Sequence, residues 1–152
     1  MLSRLTNTDT RNYALAILRL ILGIVFFVHG SQKALGWFGG YGYTGTMGFF
    51  TQLGIPVPLG LLAIAAEFLG GLGLVVGFLS RIAAFGILCN MLVAVFLLHI
   101  HMGFFMNWTG AQKGEGFEFH LLAAAIALTL MISGAGAFSV DAALSNGPSH
   151  SR

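Results

Sequence analysis

The chain has 152 residues, of which 57% are hydrophobic and only 8% charged, with a formal net charge of +2. A soluble domain is usually about one-quarter charged. A disordered chain needs more charge, and a soluble globule of this length cannot hide so much apolar surface, so a small polytopic membrane protein remains.

Residues 1–12 read as a short tail carrying Arg4 and Arg11. A bilayer core of about 30 Å needs roughly 20 apolar residues as a helix, and residues 14–34 supply the first such run. It is too long for the apolar region of a signal peptide, and no A-x-A site follows it, so a retained helix is expected. Gly36 to Tyr43 then lays aromatic residues on glycine-permitted turns, and Met47, Phe50 and Leu53 recur at helical spacing. This stretch predicts an interfacial segment between the first two spans.

Residues 56–79 form the second expected span, opened by Pro56 and Pro58, and 82–101 the third. Cys89, the only cysteine, sits inside the third and reads as a buried, inert thiol. The loop 102–116 carries Trp108 and also reads as interfacial. Residues 119–137 form the fourth span. Lipid-exposed backbone has no water to bond, so every span should be a helix. The expected fold is an all-α transmembrane four-helix bundle: a tail at 1–12, a membrane domain at 13–138 and a second tail at 139–152. Arg4, Arg11, Arg81 and Arg152 fall on one side, Lys33 and Lys113 on the other. That bias places both termini in the cytoplasm.

Ionisable residues inside a membrane are costly, and each is a candidate functional group. At about 100° per residue, Arg19, Gly23, Phe26, Gly30 and Lys33 share one stripe of span one, with His29 beside it. Gly60, Ala63, Glu67, Gly70 and Gly71 share a side of span two, where small residues let a neighbour come close. Spans one and two are therefore expected to pack together. A buried Arg19–Glu67 pair is the first expectation and a His29–Glu67 pair stands close behind. Such a pair either fixes helix register, relays protons or anchors a polar head group.

A second group, His29, Lys33, His99, His101, Glu118 and His120, gathers at the outer face, with Glu115 nearby. These residues are the pocket candidates, although histidine is also at home at an interface. His99 and His101 point about 200° apart on a helix and converge only if the helix has ended by Ile100. No spacing signature supports zinc or di-iron, so no metal is expected. Haem held by two of the histidines is less expected than a quinone ring among Phe104, Phe105, Trp108, Phe117 and Phe119.

Leu18-Arg19-Leu20-Ile21-Leu22-Gly23, then Phe26 and His29-Gly30-x-x-Lys33, resembles the first span of the DoxX family. Glu67-Phe68-Leu69-Gly70-Gly71-x-x-Leu74-x-x-Gly77, followed by Ser80-Arg81, resembles its second. The likeness extends over about residues 12–140. It implies an integral protein of the bacterial cytoplasmic membrane, in a family named after a small subunit associated with a quinone-linked oxidoreductase. Members often carry an oxidoreductase or redox-stress label, so any enzymatic role here rests on the resemblance alone. Three roles follow: a membrane subunit of a redox system with redox-protein partners, a non-enzymatic scaffold for other proteins, or a small proton-coupled transporter working as a homodimer. No basic patch points to nucleic acid.

Overall fold

The computed structural model describes residues 5–145. Helix α1 spans Tyr13–Leu35, α2 Gly42–Gln52, α3 Val57–Val76, α4 Ser80–Leu97, α5 Glu118–Ser133 and α6 Val140–Ser145. The described residues contain no strand. Helices α1, α3 and α4 are long and apolar enough to cross a membrane. With the shorter α5 they form the expected bundle. Helix α2 lies between the first two long helices in sequence and packs on both.

Local chemistry sets the helix ends. Asn12 caps α1 by accepting from the Leu15 N–H at 3.0 Å, which satisfies one of the free donors of a first turn. Gly36, at φ +75°, ends α1, and Gly77, at φ +73°, ends α3. After Gly77, the Phe78 N–H donates to the Gly73 carbonyl at 2.8 Å. This is the glycine-terminated helix end expected for a left-handed C′ residue.

Three spans end earlier than expected, two of them at such glycines. Span two stops at Val76 rather than 79 because Gly77 turns the chain. Span three stops at Leu97 rather than 101, and His99–Met102 form a separate 3₁₀ turn. Span four stops at Ser133 rather than 137, because Gly134 and Gly136 take φ of +88° and +73°. Residues 134–137 are nevertheless buried. Their backbone finds partners inside the protein: the Gly136 N–H donates to the Thr8 hydroxyl at 2.7 Å, and the Ala137 N–H to the Asn12 carbonyl at 3.0 Å. Non-helical backbone at such depth is tolerated on that condition.

The antiparallel α1–α3 crossing is the tightest contact. A Cβ placed on Gly30 would lie 2.3 Å from the Phe68 nitrogen, and one on Gly71 2.3 Å from the Phe27 nitrogen. The small residues on both stripes therefore meet each other, as their spacing predicts. The core behind them contains Leu22, Phe26, Leu74, Ile87, Ala127 and Leu130. Large apolar side chains such as Ile21, Leu62, Phe85, Phe96, Leu122 and Ile132 point outward. A patch of that extent suits lipid and not water.

Candidate functional site

The two ends of the bundle carry different polar groups. At the end holding the α1 N-terminus, Arg19 is fully buried. Its Nε donates to the Ala135 carbonyl at 3.0 Å, Nη1 to Val75 at 2.8 Å and Nη2 to Phe138 at 2.9 Å. The Leu74 and Ala137 carbonyls complete the set. Helix ends leave carbonyls without partners, and Arg19 gathers those of α3 together with those of the segment after α5. Nearby, the Asp141 carboxylate accepts from the Leu79 and Ser80 N–H groups, both at 2.9 Å, and so caps α4. Arg81 donates to the Met131 carbonyl at 2.6 Å and to the Asn7 carbonyl at 3.0 Å.

The expected Arg19–Glu67 pair does not form. Gly30 faces Glu67 and Phe68, and Gly23 faces Leu74 and Val75. Arg19, one turn further back, is level with the end of α3, and its side chain goes to the free carbonyls there. Glu67 lies about 16 Å up the bundle, taking 1.5 Å per residue over that register. Its partner is Lys33. Lys33 sits about one turn above Gly30, and helical side chains lean toward the N-terminus. The ammonium therefore comes back down to the level of Glu67, whose side chain is only 7% exposed.

Around this ion pair lies a cavity of about 270 Å³. His29, Lys33, Glu67, His99 and His120 line it, with Phe26 and Phe119 beside them. Helix α2 contributes Phe49 and Phe50, and α4 contributes Asn90, whose Nδ2 donates to the Ala63 carbonyl at 2.8 Å. The His99 and His120 rings lie against each other with centroids 4.0 Å apart, tilted by 36°. The His99 Nδ1 lies 2.8 Å from the Glu115 carbonyl. A carbonyl only accepts, so Nδ1 carries a proton, and a neutral His99 keeps Nε2 as its acceptor. His120 is buried beside the Gly116 backbone, and its Nδ1 makes no hydrogen bond of normal geometry among the described residues.

Of the six outer-face candidates, the fold brings together His29, Lys33, His99 and His120. His101 is exposed on the 3₁₀ turn and does not line the cavity. The early end of α4 meets the condition for convergence, but the turn carries His101 outward. Glu118 is also elsewhere: its carboxylate accepts from the Met106 N–H at 2.8 Å and the Trp108 indole at 3.2 Å. Glu115 similarly accepts from the Asn107 N–H at 2.7 Å. Both acids fold the long loop. Of the five aromatic residues expected around a ring, only Phe119 reaches the cavity; Phe104 packs against Phe105 and Phe117. Among the described residues, no three His, Cys, Asp or Glu side chains are grouped to hold a metal ion.

Asp141, Phe49 and Phe50 carry structural or site roles that the sequence pattern leaves largely silent. The recurrence of Met47, Phe50 and Leu53 was the available signal for α2. Asp141 sits in a short stretch of mostly small apolar residues with no clear period.

Comparison with known proteins assigns the chain. It is 30% identical over 125 residues to Inner membrane protein YqjF of Escherichia coli, covering 82% of this chain and 87% of that protein. It is 32% identical over 142 residues to an uncharacterized protein of Haemophilus influenzae, covering 86% and 90%. It is 30% identical over 114 residues to a Bacillus subtilis protein named Putative oxidoreductase CatD, covering 75% of each. No solved structure matches. The DoxX family model matches residues 14–100, and with these relatives that match shows that the chain is a membrane protein belonging to the DoxX family.

Proposed function

We propose that this protein is a membrane subunit of a quinone-linked redox system and holds the quinone ring in the cavity around Lys33 and Glu67. The observation that carries the reading is the composition of that cavity: an ion pair, three histidines and four phenylalanines around a space of single-ring size. A flat ring with polar oxygens needs apolar faces and hydrogen-bond donors at its edge. Phe26 and Phe119 offer the faces. Lys33 has donors to spare beyond the one given to Glu67, and His29, His99 and His120 can donate or accept. A quinone, when bound, would supply two-electron, two-proton chemistry, and the ring nitrogens of His29, His99 and His120 stand where protons would be exchanged. The electrons come from a separate redox protein.

The scaffold reading drew on the glycine-rich faces of α1 and α3. Gly23, Gly30 and Gly71 are used up in the contact between those helices. The carrier reading needs Glu67 free near the middle of the membrane, and it is tied to Lys33. In the proposed setting the chain is multi-pass in the bacterial cytoplasmic membrane, with both termini in the cytoplasm and the cavity at the outer face.

The test is the absorption spectrum and lipid extract of gently purified protein. Quinone should co-purify in stoichiometric amount and fall severalfold in a His120→Phe variant. Quinone-free extracts, together with unchanged quinone-linked respiration on deletion, overturn the proposal. A Soret band replaces it with haem binding.

A further inference from the structure

A second cavity of about 810 Å³ runs between α3 and α4. Its walls are almost wholly apolar, and its rim includes the exposed Leu62, Leu69, Phe85 and Val93. It is not separate from the ring cavity. Leu53, Ile55, Ala63, Asn90, Val93 and Leu97 line both. Asn90 is the groove's one polar side chain that is neither charged nor sulfur-bearing. It stands at the shared wall, where its bond to the Ala63 carbonyl joins α4 to α3.

We propose that this groove takes the apolar tail of the same lipid whose ring occupies the polar cavity, so that the ligand enters sideways from the bilayer between α3 and α4. The inference rests on the ring-site reading above. Size supports it first. Pockets for whole ligands run about 300–1,000 Å³, so the ring cavity at about 270 Å³ has room for a ring and none for a long tail. The tail needs a second, adjoining space, and the groove supplies it. Chemistry supports it next. Apolar walls open to the bilayer suit a hydrocarbon chain, and the change from polar to apolar lining falls where a ring would join its tail. A phospholipid is a poorer fit: its phosphate wants a cation, and the groove contains none.

Cys89 makes the test direct, because it lines the groove and is the chain's only cysteine. Full-length protein in mild detergent is treated with a small apolar maleimide, with and without a decyl-tailed quinone, the same ring carrying a methyl group, or added phospholipid. Ring binding is measured in parallel by titration calorimetry. The tailed ligand should slow Cys89 alkylation about tenfold and bind about tenfold tighter than the methyl analogue. The methyl analogue should bind without protecting Cys89. In Cys89→Trp, which fills the groove, the tail's advantage should vanish while the methyl analogue binds as before. Equal affinities with Cys89 unprotected overturn the groove assignment and leave the ring site standing. If neither ligand binds, the ring site falls, and the groove assignment with it. Protection by phospholipid alone, or a Cys89–Cys89 disulfide joining two copies, gives the groove to a different occupant and overturns the inference. The alkylation arm uses the unaltered chain, so it decides the matter even if Cys89→Trp does not fold.

Discussion

Two cations within the bundle solve different problems, and substitution should separate them. Arg19 gives all of its donor atoms to main-chain carbonyls at the ends of two elements. Hydrogen bonds to charged groups contribute about 1.5–3 kcal/mol each in water-soluble proteins, but polar contacts in membrane bundles average nearer 0.6 kcal/mol. Arg19→Ala should therefore cost about 2–4 kcal/mol in reversible unfolding from mild detergent. Arg19→Lys should recover only part of this, since a lysine has three donors in place of five and no planar fork. Full stability in Arg19→Lys would show that charge alone matters there. Lys33 instead neutralises a carboxylate. Lys33→Met strands Glu67 and should cost about 2–3 kcal/mol, the low side of the range for a broken buried pair because Lys33 is partly solvated. Adding Glu67→Gln should restore most of that loss. If the double variant is as unstable as Lys33→Met alone, the pair does not govern stability at this end.

Packing between elements turns on which glycines touch backbone. In Gly30→Ala the new methyl would meet the Phe68 nitrogen at 2.3 Å and its Cα at 2.4 Å, and main chain cannot step aside as a side chain can. The helices must separate, at a cost of about 3 kcal/mol. Gly48 is the control. It lies in α2 with nothing within 4 Å of its would-be Cβ, so Gly48→Ala should be neutral or stabilise by up to about 1 kcal/mol, the helix-propensity gain. Thermal unfolding of both variants compares them, and equal behaviour would contradict the crossing described. This contact was legible in the sequence, because small residues at helical spacing on two spans leave few other arrangements. The Arg19 partner was not legible. It depends on α3 stopping at Gly77 and α5 at Gly134, and a glycine inside an apolar run marks a close contact as readily as an end. The fate of His101 was hidden because no glycine or proline marks the end of α4 at Leu97, and a helix one turn longer would have left it on the far side of α4 from His99. Glu118 misled for another reason, since an acid at a helix start serves equally as a pocket group or as an anchor for the preceding loop.

For the whole molecule, the fold brings the two ends of the described chain together. The Ser145 hydroxyl donates to the Thr6 carbonyl at 2.6 Å, and the Gly136 N–H donates to Thr8. The described chain thus begins and ends at one end of the bundle, as an even number of crossings would require. Which side of the membrane that end faces is a separate matter, set by flanking charge. Among the described residues the count is level, with Arg11 and Arg81 at this end against Lys33 and Lys113 at the other. Arg4 and Arg152, which tip it, lie outside the described residues. Green fluorescent protein fused at either terminus should be fluorescent, alkaline phosphatase at either terminus inactive, and phosphatase inserted at Gly110 active. Opposite signals from the two termini would refute the four-span arrangement itself. Because the charge bias is thin, Arg4→Glu with Arg11→Glu should drive a fraction of the molecules into the inverted orientation, seen as phosphatase activity at both termini. A bundle whose end is closed by Arg19 and Asp141 should keep its packing in either orientation. The inverted molecules should therefore remain folded while carrying the ring cavity on the wrong side for any electron donor that works from the outer face.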